Sequence, residues 1–402
     1  MNRNRWKIFS PGRIGSLELP NRLVRSATWD PSILRRNKMN DETIALYRRV
    51  ASGGVGLIIT GDFSALPAGA LVGDMASLGD FSYDDARVDG YDRLIAAVRK
   101  VAPDCKIVAQ ISAEYPNVSP SGVISPLAKK APEVLSVEQI KILVKRFVVS
   151  IEGAMNDGFD GIQFHAAHGG LLSQFMSPYT NRRTDAYGGS VANRVRLIGE
   201  IVSATRTRVG DFPILIKLNC TDYVDGGINI DNFPEFAMEV ERTGVDAIEV
   251  SGGMRDCLVR SEDELGFPPV YPPESQTRIV LPERQSYFLK YVECLDLEIP
   301  VILVGGNRDV VRLENIIRRG KVDFISLCRP LISEPDLPNR WRAGQGKSGT
   351  DCTSCNSCIY DQIASFKNGT LGVARCLLKE DPGQVRIARE WLSSFAQRGR
   401  AS

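Results

Sequence analysis

DGIQFHAAHGGLLSQFMSPYTNRRTDAYGGSVANRVRLIGEIVSATRTRVGDFPILIKLN, residues 160–219, contains the unit from which the fold can be read. A short apolar run, GIQFH, leads into a polar, glycine-rich loop. An amphipathic helical pattern follows, SVANRVRLIGEIVSATRTRV, and then a second apolar run, PILIKLN. Strands apolar on both faces are covered on both sides, as in a parallel sheet with helical crossovers. The same alternation runs outward in both directions. NRLVRSA precedes DETIALYRRVAS, VGLIITG precedes VDGYDRLIAAVRKV, and KIVAQI precedes SVEQIKILVKRFVVSIEGAMNDG. DAIEVSGG precedes RQSYFLKYVECL, IPVILVGG precedes DVVRLENIIRRG, and DFISLCRP comes last. Eight such strands in 402 residues predict an α/β fold, a (β/α)8 TIM barrel. The doubly wound alternative requires a glycine fingerprint after the first strand, where this chain has TWDPSI.

The barrel pattern ends near residue 342, and 343–402 reads as an appendage with a cysteine-rich segment and a charged tail. Two long excursions, 111–136 and 252–282, follow strand C-terminal ends, the face on which barrels build active sites. A net charge of +2 gives no electrostatic case for nucleic acid or a membrane surface as a partner. No apolar run approaches the ~20 residues of a membrane span. The first residues, MNRNRWKIFSPGR, have no apolar core behind their basic groups, so the cytoplasm is the expected compartment.

The strand ends carry the chemistry. They are Ser26–Ala27–Thr28, Gly61–Asp62, Gln110, His165 with His168, Lys217 with Asn219, Ser251–Gly252–Gly253, Gly305–Gly306 and Cys328–Arg329. His165 and His168 are the only histidines in the chain. Gly305, Gly306 and Arg329 follow the seventh and eighth strands, where barrels commonly bind a phosphate. The Gln110 amide can donate and accept along the edge of a planar heterocycle, and Lys217 can stabilise negative charge on it. Together these residues describe a pocket for a phosphorylated planar cofactor. FMN and pyridoxal phosphate both satisfy that chemistry, the second with Lys217 as a Schiff-base lysine.

Four of the nine cysteines lie in CTSCNSCIYDQIASFKNGTLGVARC, as Cys352, Cys355, Cys358 and Cys376. Clustered cysteines in a cytosolic chain point to metal rather than to disulfides. Three thiols in seven residues plus one distant thiol suit a [4Fe–4S] cubane, whereas zinc sites usually use two separated C-x2-C knuckles. The scattered Cys105 and Cys220 read as buried thiols.

The chain resembles the Old Yellow Enzyme family of FMN-dependent oxidoreductases from about Phe9 to Pro335. The resemblance is carried by FSPGRIGSLELPNRLVRSAT, by GFDGIQFHAAHGGLLSQFMSPYTNRRTDAYGGS, by VGG at 304–306 and by CRPLISEP at 328–335. The first motif is most similar to the branch of 2-enoate and 2,4-dienoyl-CoA reductases, whose members often carry a C-x2-C-N-x-C cluster after the barrel. The resemblance implies FMN beside the Ser26–Ala27–Thr28 backbone, with Gln110 and Lys217 on the ring and Gly305, Gly306 and Arg329 on the phosphate. Gly61, Gly252 and Cys328 complete the expected cofactor set. His165 and His168 would grip a substrate carbonyl oxygen while hydride passes to the β-carbon of an activated C=C bond in an enone, enoate or enoyl thioester. NAD(P)H or an electron-transfer protein would recharge the flavin, and no second flavin or nucleotide domain is expected after the cysteines. Barrels of this family often pair, so a homo-oligomer is an expectation of the resemblance.

The chain departs from the family pattern at Gly170, where H-x-x-[HN]-G-Y has a proton-donating tyrosine. Water, Tyr115 or Tyr223 could then supply the proton, or the reaction could be an oxidative dehydrogenation or demethylation that needs none. A catalytically silent flavin- or cluster-binding partner protein is the non-enzymatic alternative. The 17 residues between Cys358 and Cys376 exceed the family's usual spacing. Trp29 stands near the flavin position, either narrowing the pocket or packing in the core.

Overall fold

The computed structural model describes residues 3–30, 38–65, 88–113, 118–279, 281–360, 362–364 and 372–398. Eight parallel strands close into a barrel: β1 Leu23–Arg25, β2 Leu57–Ile59, β3 Lys106–Ser112, β4 Gly161–Ala166, β5 Ile214–Asn219, β6 Ala247–Ser251, β7 Val301–Leu303 and β8 Phe324–Leu327. Each pairs with its sequence neighbour, and β8 pairs with β1 to complete the ring. The expected TIM barrel is the observed fold.

Alternation of side chains along each strand builds two cores. Outward residues such as Ile58, Ile107, Ile162, Ile216, Ile248 and Ile325 are buried beneath the surrounding helices. Inward residues at the strand starts, Val24, Leu57, Val108, Leu215, Ala247, Ile302 and Phe324, fill the barrel floor. A two-stranded antiparallel hairpin, Gly12–Ile14 with Leu17–Leu19, plugs that floor with Ile14, Leu17 and Leu19. Burying each such aliphatic side chain contributes about 1.5–3 kcal/mol. One step further up, the inward positions turn polar, and the site begins there.

The helices start on local signals. Asn40 caps Asp41–Ser52 through the Thr43 N–H, and Ser136 with Gln139 forms a capping box on Val137–Asp157. Ser190 caps Val191–Val209 through the Asn193 N–H. The RQSYFLKYVECL pattern departs from expectation, for its α-helix is the single turn Leu289–Val292. The left-handed Ser286 (φ 53°) breaks the run, and Phe288 is wholly buried.

The cysteine segment is bonded to the barrel's upper face. Thr350 Oγ1 and the Asp351 N–H donate to the buried Glu334 carboxylate, and Arg308 donates to Ser354 Oγ at 2.9 and 3.1 Å. Asn356 donates to the Ser275 carbonyl, Gln362 to the Trp29 carbonyl and Lys379 to the Ser333 carbonyl. Among the described residues no helix is long and apolar enough to cross a membrane.

Candidate active site

Above the apolar floor, the inward residues of β3, β4, β5, β6 and β8 are Gln110, Gln163, Lys217, Glu249 and Ser326. They form one hydrogen-bonded layer. Gln110 Nε2 donates to Gln163 Oε1 at 2.7 Å, and Gln163 Nε2 donates to Glu249 Oε2 at 2.7 Å. Lys217 Nζ meets the same Oε2 at 2.8 Å, while Ser26 and Ser326 donate to Oε1 at 2.8 and 2.7 Å. Lys217 also donates to Ser26 Oγ at 3.0 Å. Burial alone would raise the Glu249 carboxyl, but Lys217 and the hydrogen bonds from Gln163 and Ser326 hold it below its ordinary value. The pairing makes Lys217 a buried counter-ion of Glu249, which weighs against the Schiff-base reading.

Over this layer lies a cleft of about 800 Å³. Ser26, Ala27, Thr28, His168, Lys217, Gly305, Gly306, Cys328 and Arg329 line it, as does Trp29. Gln110, Gly61, Gly252, His165 and Tyr223 are not among the lining residues. Gln110 lies in the layer beneath. Gly61 packs against the end of β1, where an added Cβ would sit 2.6 Å from the Thr28 carbonyl oxygen, and its N–H donates to Tyr47 Oη. A Cβ on Gly252 would meet Phe288 at 2.8 Å. Tyr223 Oη accepts from Gln276 Nε2 at 3.3 Å, and its ring meets Phe267 edge-on. Tyr115 lies outside the described residues.

One end of the cleft is strongly basic. Gly305 and Gly306, both left-handed (φ 96° and 71°), turn beneath the rings of Tyr287 and Phe288, where any Cβ would collide. Arg308 and Arg329 are 6% and 7% exposed. Arg308 donates to Ser354 Oγ and the Asn307 carbonyl, and Arg329 donates to the Gln276 carbonyl and Asn356 Oδ1. Neither forms an ion pair among the described residues. Two buried guanidiniums facing a cleft without a carboxylate partner fit a bound phosphate monoester, so the residues present fit FMN.

At the other side, β4 ends in the two histidines. His165 Nε2 and His168 Nδ1 are 3.2 Å apart, and His168 Nε2 is 2.8 Å from Ser251 Oγ. His168 is left-handed (φ 60°), and its backbone N–H donates to Asn219 Oδ1 at 3.1 Å. Burial lowers both imidazoles, His168 well below its ordinary value, with His165 and Lys217 adding to the effect on His168. Both rings are therefore neutral at physiological pH. A Cβ on Gly170 would lie 3.1 Å from His165 Nδ1, which is buried and has no hydrogen-bond partner among the described residues.

Sequence reasoning missed three groups. Gln163 and Glu249 are polar residues at inward positions of apolar strands, a signal that period-2 alternation carries. Arg308 lies two residues beyond Gly306. Glu274 lines the cleft from the long insertion, where sequence gives no register, and burial pushes its carboxyl up to about 7.

The four clustered cysteines line one pocket, beside Arg329 and Asn356. Among the described residues no three His, Cys, Asp or Glu side chains are grouped to hold a single ion. Thiolates are the usual ligands of iron–sulfur clusters and of structural zinc, and all four line this one pocket. Arg329 and Asn356 also line the cleft, so the two cavities share a wall.

Comparison with known proteins agrees with this picture. The chain is 32% identical over 391 residues to a metal reductase of Desulforamulus reducens, spanning 94% of this chain and 54% of that protein. It is 27% identical over 400 residues to a cinnamate reductase of Clostridium sporogenes, spanning 89% and 56%. The chain thus spans about half the length of these curated relatives. A 2-naphthoyl-CoA reductase structure has the same fold, with a TM-score of 0.73 at 21% identity over 96% of this chain and 58% of that one. The model of the NADH:flavin oxidoreductase / NADH oxidase family matches residues 7–347. By its closed barrel, its cleft fit for FMN and this match, the chain belongs to that family of FMN-dependent oxidoreductases.

Proposed function

We propose that this protein reduces a C=C bond conjugated to a carbonyl group, in an enone, enoate or enoyl thioester. The observation that carries this reading is the 3.2 Å separation of His165 Nε2 and His168 Nδ1 beside the cleft. Two ring nitrogens that close can converge on one carbonyl oxygen and stabilise the negative charge that develops on it. Bound FMN would supply the hydride for the β-carbon and be recharged by NAD(P)H or a partner donor.

Arg308, Arg329, Gly305 and Gly306 would hold the phosphate of FMN, and Lys217 and the Ser26–Ala27–Thr28 segment would border its ring. Gln110 would act from the layer beneath, while Gly61 and Gly252 would give close packing around the pocket. Position 170 has no hydroxyl to protonate the α-carbon. Among the described residues Glu274 is the one carboxyl lining the cleft, and with its carboxyl raised to about 7 it is about half protonated at neutral pH. It takes the acid role in this reading, with Tyr115 and Tyr223 as the tyrosine alternatives. Cys352, Cys355, Cys358 and Cys376 would hold a [4Fe–4S] cluster for single-electron entry.

The names of the cinnamate and 2-naphthoyl-CoA reductases support the substrate class. The test is anaerobic. Protein reduced stoichiometrically with dithionite is mixed with cinnamate, cyclohexenone or an enoyl thioester, and the return of oxidised-flavin absorbance is followed. Reoxidation that His165→Ala with His168→Ala abolishes is expected. No reoxidation by any of the three would sink the reading. The missing side chain at Gly170 favours the oxidative alternative, in which Glu274 would accept a proton. Bleaching of the oxidised flavin by an amine alone would establish that direction.

A further inference from the structure

Among the described residues Ser251, His168 and His165 form an unbranched chain: Ser251 Oγ to His168 Nε2 at 2.8 Å, then His168 Nδ1 to His165 Nε2 at 3.2 Å. It ends at His165 Nδ1, which has no hydrogen-bond partner among the described residues. Ser251 is 3% exposed, and among the described residues its hydroxyl oxygen has His168 Nε2 as its sole hydrogen-bond partner. Each neutral imidazole carries one ring proton, so the chain can run in two directions.

In the first, Ser251 donates to His168 Nε2, His168 carries its proton on Nδ1 and donates to His165 Nε2, and His165 carries its proton on Nδ1. Two buried groups are left unpaired, that last N–H and the lone pairs of the serine oxygen. In the second, His165 donates from Nε2 to His168 Nδ1, and His168 donates from Nε2 to Ser251. Two buried groups are then unpaired: the serine hydroxyl proton and the His165 Nδ1 lone pair. The two directions leave equal numbers unpaired, and the first is the more stable because it sets the serine O–H on an imidazole nitrogen, a stronger acceptor than the hydroxyl oxygen used in the second. The backbone limits re-aiming of the ring, since His168 is left-handed and tied by its N–H to Asn219, the residue opposite Ser251 in the β5–β6 register.

We infer that Ser251 is a positioning residue that fixes His168 as the Nδ1–H tautomer, so that its donor faces the place where a substrate oxygen is gripped. This rests on the proposed carbonyl-binding role of the pair. With His168 in the opposite tautomer, an incoming oxygen would meet a lone pair at Nδ1. With it locked, one proton shift from Nδ1 to Nε2 of His165 completes a two-donor grip. The vacancy at Gly170 leaves His165 Nδ1 without a competing partner, so that shift breaks no hydrogen bond there.

The chain's two histidines make the test direct. Holoprotein labelled with 15N-histidine is read by long-range 1H–15N correlation, with His165→Gln used for assignment. His168 is expected as the Nδ1–H form in the wild type and in Ser251→Thr, and shifted toward the Nε2–H form in Ser251→Ala. Wild-type His168 in the Nε2–H form would overturn the inference, and so would a Ser251→Ala pattern identical to wild type. The wild-type spectrum decides even if that variant fails to fold. Cinnamate is then added to the oxidised holoprotein, which cannot turn it over without a reductant. A switch of His165 to Nε2–H with His168 unchanged supports both the lock and the carbonyl reading. A locked His168 with no response to cinnamate, cyclohexenone or an enoyl thioester supports the lock and counts against that reading.

Discussion

The Lys217–Glu249 pair gives the most exacting prediction, through Glu249→Gln. The two side chains are 4% and 0% exposed and meet at 2.8 Å. Glu249 receives Lys217 and Gln163 on one oxygen and Ser26 and Ser326 on the other. A glutamine amide can keep its oxygen toward Lys217 and Gln163 and turn its NH2 to the serines, whose hydroxyls rotate to accept. The shape and most hydrogen bonds survive, and what is lost is the countercharge of a buried ammonium. Removing one partner of a buried pair costs about 3–5 kcal/mol. The variant can limit this loss by releasing the Lys217 proton in the folded state. The unfolded chain then binds more protons than the folded one, so the variant's stability rises with pH. The deficit is therefore largest near pH 6 and shrinks as pH approaches 10. Urea unfolding of FMN-free protein at several pH values measures it, and Lys217→Met with Glu249→Gln should recover more than about half of the loss, since no charge is then stranded. A deficit below about 1 kcal/mol at pH 6, or one that does not vary with pH, would refute the argument.

Three further outcomes follow from the same geometry. Glu274, with its carboxyl raised to about 7, costs stability as pH rises through 4.5 to 7, and the gap corresponds to at most about 3 kcal/mol. Glu274→Gln should match wild type below pH 4.5 and exceed it above pH 7 in thermal unfolding. Gly61→Ala places a methyl 2.6 Å from the Thr28 carbonyl oxygen and should destabilise the fold by about 1–3 kcal/mol, read from urea midpoints. Arg308→Ala should weaken FMN binding roughly tenfold to hundredfold in a flavin-fluorescence titration, the loss of charge-assisted hydrogen bonds worth about 1.5–3 kcal/mol. Unchanged affinity would remove Arg308 from the phosphate site.

The barrel was legible because hydrophobic runs bounded by turns report strands one at a time, and eight of them admit few closed arrangements. The strand ends were legible for a related reason, since a polar residue ending an apolar run has few places to go. Ser26, Thr28, Lys217, Gly305, Gly306 and Arg329 accordingly meet in one cleft. What sequence could not give was which inward residues face one another across the barrel. The contact of Glu249 with Ser26 joins residues 223 apart in the chain, and the Gln163–Glu249 bond depends on strand stagger. Glu274 was invisible for another reason. It lies in an insertion without periodicity, whose path is set by packing against Tyr287, whose hydroxyl donates to the Glu274 carbonyl.

The wall shared by the two cavities bears on how the protein matures. Arg329 reaches across it to Asn356 and, with Arg308 holding Ser354, ties the cysteine loop to the basic end of the cleft. A group that settles in either cavity restrains Arg329 and Asn356, which line both. Thermodynamic linkage requires the benefit to be mutual: whatever factor the first occupant adds to the affinity for the second, the second adds to the first. Were a cluster held at the cysteines, FMN and that cluster would each tighten the hold on the other, and loss of one would loosen it.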